Sequence, residues 1–328
     1  MALTAVLTRS EVNRRPVIRT SLIRNLAAPT VAIAGVTAWL AWQGWAALSG
    51  YGPLHAIRAG QVELAGPVVL GFVLVVFVIE QIVPAQRRNV LARGHVLDVG
   101  YLLAHALIVV PVIVLIGTGF SSSLARVAPW LVLPRNTAVP HWCYIVIAVL
   151  AIDAVDWLAH LANHKISSLW RLHAVHHSQE ELSILSTFRT HPLVHVSFVI
   201  SAVPVLALAS NAATPAFLLT VYACLGSLPH ANVRWTYGRL GQIVVSPAYH
   251  RRHHSPTERL DINMGTVFTV WDQLSRRAVF DAPTAVVAPT GLAGRPIPVE
   301  QSSERPQFLH TFITQWTQPF TTNQGALQ

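Results

Sequence analysis

Residues 140–178 read "PHWCYIVIAVLAIDAVDWLAHLANHKISSLWRLHAVHHS". The first part, about 140–161, is apolar over the roughly 20 residues that a helix needs to cross a hydrocarbon core. The second part carries His160, His164, His173, His176 and His177. Residues three and four apart share a helix face, so His160 and His164 form one set and His173, His176 and His177 another. An apolar span runs directly into clustered imidazoles, and both features need an account.

Working outward, the chain has 328 residues, 52% of them hydrophobic and only 11% charged. Ordinary soluble domains carry about 25% charged residues. With a mean hydropathy of +0.47, the chain has too few charges to cover a soluble surface, so a multi-pass membrane protein is expected. Further spans are predicted at about 29–49, 64–84 and 97–118. The apolar region 194–229 is long enough for a helical hairpin turning at "SNAATP", 210–215. The expected fold is an all-α integral membrane protein of about four transmembrane helices plus that hairpin, with a cytoplasmic, histidine-rich helical cap. Residues 1–28 read as a basic cytoplasmic segment, 29–281 as the membrane-embedded catalytic domain and 282–328 as a polar tail. The basic and apolar stretches at the start exceed those of a cleaved signal peptide, so an uncleaved first span is expected.

Arginines orient the spans. Arg9, Arg14, Arg15, Arg19, Arg24, Arg87, Arg88 and Arg93 fall on one side, and Arg58, Arg126 and Arg135 on the other. The N-terminus and the end of the fourth span are therefore placed in the cytoplasm. A hairpin at 194–229 returns the chain to that side, so His250, His253 and His254 join the earlier histidines there. Lys165 is the only lysine; the arginine bias suits a GC-rich bacterial genome, hence an inner membrane. The formal charge of +9 lies beside apolar runs, which favours anionic lipid head groups over nucleic acid. Cys143 and Cys224 sit in apolar segments without a CxxC pair, and read as small buried residues rather than thiolate ligands.

Of the 16 histidines, 11 lie between residues 160 and 254, which concentrates the chemistry there. His250, His253 and His254 repeat the spacing of His173, His176 and His177. With His160, His164 and His230, nine imidazoles are available, too many for one ion and suited to two. A lone histidine on a helix is usually hydrogen-bonded or at the surface; three patterned groups on one face are not explained that way. Imidazole suits zinc, copper, iron and nickel alike, and an imidazole-rich dinuclear site on a lipid-embedded scaffold favours iron that activates O2, with zinc as a substitute. His191 and His195 are further candidates for the metal or its surroundings. His55, His95, His105, His141 and His310 read as structural or interfacial.

Ligating histidines donate their other N–H to a carboxylate or carbonyl. Asp156, one helical turn before His160, is the expected partner, while Asp153 is expected to orient too or to pair with an arginine. Asn232 and Asp261 are candidates for the same layer. Arg251 and Arg252 are expected to hold an anionic head group, dock an electron donor or face solvent. Glu80 is expected at the interface beside Arg87, and at least one of Glu180 and Glu181 in solvent.

"DWLAHLANHKISSLWRLHAVHHS", "RTHPLVH", "HANVRW" and "SPAYHRRHHSPTERLDINMG" followed by "WDQL" together resemble the sterol desaturase / fatty acid hydroxylase superfamily over about 150–273. The matching positions are Asp156, His160, His164, Trp170, His173, His176, His177, Ser178, Arg189, His191, Pro192, His230, Asn232, His250, His253, His254, Asp261, Asn263, Gly265, Trp271 and Asp272. The resemblance implies a membrane non-haem di-iron oxygenase that hydroxylates, desaturates or cleaves a C–O bond in a lipid, with O2 and electrons from a separate reductase. Val194 stands where the family usually has glutamate, Met264 where it has tyrosine, and "SRRAVF" replaces phenylalanine–glycine–threonine. The first two departures bear on substrate more than on metal. Two rivals use the same histidines: a membrane zinc hydrolase, which needs a carboxylate base, and a metal transporter, which places ligands near the bilayer midplane.

Overall fold

The computed structural model describes residues 57, 59, 66–87, 94–132, 139–196, 216–257, 261–280, 288–293, 297 and 308–321. The predicted first span, the basic segment 1–28 and the turn at 210–215 lie outside these residues. Among the described residues the elements are helical, and β features are limited to the isolated bridges Pro84–Val233 and Val244–Phe268.

Helix α1 (Pro67–Ile82) buries Val69, Val73 and Val76 and leaves Val68, Leu74, Val75, Val78 and Ile82 exposed. The buried set repeats at four and three residues, one face of a helix. Among the described residues the remaining apolar face meets no partner, and it suits lipid. Helix α2 (His95–Val127) and the core of α3 (His141–Lys165) are long and apolar enough to cross a membrane. About a quarter of their apolar windows is buried, 22% and 28%, whereas a soluble core helix would be mostly covered.

Within α2 the turn His105–Val109 widens to a π-helix, and the Val110 N–H bonds the His105 carbonyl. Pro111 follows. It has no N–H to offer the preceding turn, and a π-turn absorbs that loss.

Four shorter helices accompany these. They are α4 (Ser167–His177), α5 (Ala216–Ser227), α6 (Pro247–His253) and α7 (Val270–Leu274). Ser246 caps α6 by accepting from the Tyr249 N–H, with Pro247 in the first turn, a strong helix start. Helix α5 is the described part of the expected hairpin. Trp170, Ala174, Val175, Ile184, Leu185 and Ala231 pack on α1 and on Leu97 and Tyr101 of α2.

One expectation needs correction. The stretch read as a polar tail contains helix α8 (Phe308–Thr321). Phe312 and Trp316, one turn apart, pack on Tyr101 with ring centroids at 4.9 and 6.5 Å, and the Tyr101 hydroxyl donates to Gln315 Oε1 at 3.0 Å.

Candidate metal centre

Nine histidines converge in two adjoining groups. His160 and His164 of α3, His173 and His177 of α4, and His253 of α6 form one. His176, His230, His250 and His254 form the other. Within each, the ligand nitrogens lie within 4.8 Å of one another. Helical spacing explains the partition. In α4 the i, i+4 pair His173/His177 faces one group while His176 faces the other. Around α6 the i, i+4 pair His250/His254 serves the second group and His253 the first. Each triplet therefore straddles both groups, and His177 and His254 stack between them at 4.4 Å.

Backbone carbonyls orient the rings. Nδ1 of His160 meets Met264 O at 2.8 Å, Nδ1 of His253 meets Ile262 O at 2.8 Å, and Nδ1 of His176 meets Arg189 O at 3.1 Å. A carbonyl only accepts, so each Nδ1 carries the proton and Nε2 keeps its lone pair. The Nε2 atoms of His160, His173, His177 and His253 are buried without a hydrogen-bond partner. One such atom costs about 1–3 kcal/mol; several converging lone pairs make a cradle for a cation. In the other group the Nε2 atoms of His176, His230, His250 and His254 follow one another at 3.0, 3.1 and 3.1 Å. These donor sets fit two imidazole-bound transition-metal ions.

Burial keeps the clustered imidazoles neutral. It lowers His176 to about 3 from the usual 6.5. It pushes His173, His177, His230, His250, His253 and His254 well below that value, and neighbouring imidazoles add to the effect. Below pH 6.5 the unfolded chain therefore binds protons that the metal-free fold refuses. Stability falls with falling pH in that window, by up to about 1.4 kcal/mol per pH unit for each such histidine. Metal-free protein is expected to lose melting temperature steadily from pH 7 to 5, and metal to reduce the loss. A flat melting temperature for metal-free protein across that range would contradict a neutral cluster.

Buried carboxylates hold the surrounding elements, and here several expectations are corrected. Asp153 accepts from Tyr222 Oη (2.9 Å), Trp271 Nε1 (2.9 Å), Val267 N (3.1 Å) and Phe268 N (3.2 Å), rather than from an arginine. Glu80 is buried, and its Oε1 accepts from Ile184 N and Asn232 N, both at 2.7 Å. Arg251 is 0% exposed and donates to Asn232 Oδ1 at 3.0 Å, so it is unavailable to a head group or donor; Arg252 is half-buried. Asn232 organises this junction. Asp261 pairs with Lys165 at 2.6 Å rather than with a ligand histidine. His191 uses both ring nitrogens elsewhere, on Trp316 O and Leu193 N. Asp156 does not orient His160, whose Nδ1 is taken by Met264 O; it lies near Tyr222 Oη, at 3.4 Å. The sequence reading missed Asp98, buried and paired with Arg189 at 2.6 Å. A carboxylate at the second residue of the span predicted at about 97–118 was the available signal.

Residues 145–276, which carry all nine clustered imidazoles, match the family model described as fatty acid hydroxylase. This part of the chain is similar to fatty acid hydroxylases. The chain is 30% identical over 217 residues to the ornithine lipid hydroxylase OlsE of Rhizobium tropici, covering 63% of this chain and 64% of that protein. It is 27% identical over 126 residues to an alkylglycerol monooxygenase of Caenorhabditis elegans, covering 37% and 24%. The chain thus spans less than two thirds of either relative. No solved structure matches it.

The matched region walls a cavity of about 310 Å3 together with α1 and α2. His160, His173, His176, His230 and His250 line it, and Val69, Val110, Ile113 and Ile152 supply apolar wall. Val194 and His195 line it too, so the departures next to "RTHP" fall where a substrate would lie. His195 also packs on His105, in the π-turn, at 5.4 Å. Met264 uses backbone groups toward Asp272 and His160, which frees its side chain to differ from tyrosine.

Proposed function

We propose that the protein is a multi-pass membrane non-haem di-iron oxygenase that hydroxylates or desaturates a lipid, using O2 and electrons from a separate reductase. The observation that carries this reading is the pair of all-imidazole groups opening onto one largely apolar cavity. Iron held by the five and the four histidines would supply the activation of O2. The chain's own residues do the rest. Met264, Ile262 and Arg189 carbonyls aim the Nε2 lone pairs. The apolar wall binds an acyl or isoprenoid segment and excludes water from it. The relatives' names support a lipid substrate, since ornithine lipid and alkylglycerol are both lipids. Four spans with the site on the cytoplasmic side remain the proposed topology, and the arginine distribution supports it.

The test joins metal analysis to lipidomics. Whole protein is expected to carry two irons per chain, and a host expressing it to gain an oxidised lipid only in air. His176→Ala, which removes a ligand of the four-histidine group, is expected to lower product at least about tenfold. One zinc per chain with lipid turnover in anaerobic buffer would instead establish the hydrolase.

A further inference from the structure

Two segments flanking α6 share an exposed apolar surface that the metal centre does not use. Leu240 and Ile243 stand on one, Val270 and Leu274 on the other, and Leu274 is 73% exposed. The segments are stitched together. Thr269 N bonds Ile243 O (3.0 Å), while Gln242 O accepts from Thr269 Oγ1 (2.6 Å) and Gln273 Nε2 (2.7 Å). The bridge Val244–Phe268 adds a backbone link.

Three features decide what covers this surface. The first is depth. Asp153 fastens Val267, Phe268 and Trp271, and it lies twelve residues before Lys165, roughly 18 Å along α3. Exposed apolar side chains of α3 lie on both sides of that level, at Val146, Ile147, Leu150 and Leu158. The segment that carries Val270 and Leu274 is thus fastened to a helix whose exposed apolar side chains already suit lipid. The second is hydrogen bonding. Irregular backbone at membrane depth must satisfy its polar groups internally. Here Ile243 N and Val244 N bond Leu240 O, Gln273 N bonds Thr269 O, Ser275 N bonds Trp271 O, and Arg276 N bonds Gln273 O. The third is charge. Arg239 and Arg276 are exposed beside the apolar residues, as suits lipid phosphates at an interface.

We infer that Leu240, Ile243, Val270 and Leu274 seat the cap among the acyl chains of the leaflet on the metal-centre side, with Arg239 and Arg276 at anionic phospholipid head groups. The seat holds α6, between the two segments in sequence, against the bilayer. It stands on the fold alone and does not require the proposed chemistry.

The test uses the full chain with Cys143→Ala and Cys224→Ala, carrying Leu274→Cys or, separately, Ile243→Cys with an environment-sensitive fluorophore. Each is placed in vesicles of phosphatidylcholine and phosphatidylglycerol, with Thr257→Cys as an exposed control outside the surface. Spin-labelled lipid is expected to quench the Leu274 and Ile243 labels at least about twofold, while iodide quenches the control alone. Quenching by iodide at both sites overturns the seat. Protection from both quenchers overturns it too, and identifies a second copy or another protein as the cover. Equal lipid quenching in phosphatidylcholine alone overturns the role of the anionic head groups.

Discussion

Asp98→Ala is expected to destabilise the protein by about 3–5 kcal/mol, the range for removing one partner of a buried ion pair. Arg189 Nε lies 2.6 Å from Asp98 Oδ1, with both side chains at most 1% exposed. Gln179 Nε2 donates to the other oxygen at 2.7 Å. Alanine would strand a guanidinium that cannot lose its proton and an amide that cannot reach water. The damage would reach the metal centre by one route, because the Arg189 carbonyl aims His176. Thermal unfolding in detergent should show the loss of stability, and metal analysis a loss from the four-histidine group. The double replacement Asp98→Leu with Arg189→Met removes both charges while keeping that carbonyl. It should be less damaging than the single change. An Asp98→Ala protein within about 1 kcal/mol of wild type would remove the pair from any structural role.

Asp98 also shows where the sequence stops being informative. The nine imidazoles were legible because their type is uncommon in apolar segments and their i, i+3, i+4 spacing encodes a helix face. Their division into five and four was not, since it depends on how α3, α4 and α6 cross. Asp153 and Asp156 were visible as a stripe with His160. Nothing local announced that a loop more than 110 residues later would bring Val267, Phe268 and Trp271 to Asp153. Arg251 and Arg252 are neighbours of one type, yet the first is buried and the second half-exposed; only the packing of Asn232 separates them. The tail helix had a signal, Phe312 and Trp316 one turn apart, outweighed by threonines and Pro319. A common cause runs through these cases. Inside a bilayer, apolar side chains gain little by leaving lipid for protein. Long-range order then falls to buried polar hubs, whose partners are set by tertiary contact rather than by periodicity.

Asp272 is the hub on which most depends. Its Oδ1 accepts from Trp157 Nε1 (2.9 Å) and Met264 N (3.0 Å), and its Oδ2 from Tyr249 Oη (2.9 Å) and Gly265 N (2.8 Å). One carboxylate thus ties α3, α6 and the irregular stretch between α6 and α7. A side chain at Gly265 would meet Phe268 O at 2.6 Å, so this stretch cannot shift freely to find new partners. Asp272→Ala would leave four buried donors, each worth about 1–3 kcal/mol when unsatisfied. With some relief from entering water, a loss on the order of 4 kcal/mol is expected. Asp272→Asn keeps one accepting oxygen and turns an amide N–H toward the remaining donors, so it should recover little. The metal readout is selective. Met264 carries both a hub bond, through its N–H, and the carbonyl that aims His160. Tyr249 sits in α6, which bears His253 but also His250 of the other group, so the selectivity rests on Met264 and His160. On the proposed di-iron reading, the metal should therefore be held at least about tenfold more weakly by the five-histidine group, while the four-histidine group keeps its ion longer. Titrating bound iron with a chelator should separate two phases in Asp272→Ala, with the early one absent from wild type. A single unchanged phase, at unchanged stability, would show that His160 takes its orientation from something other than Asp272.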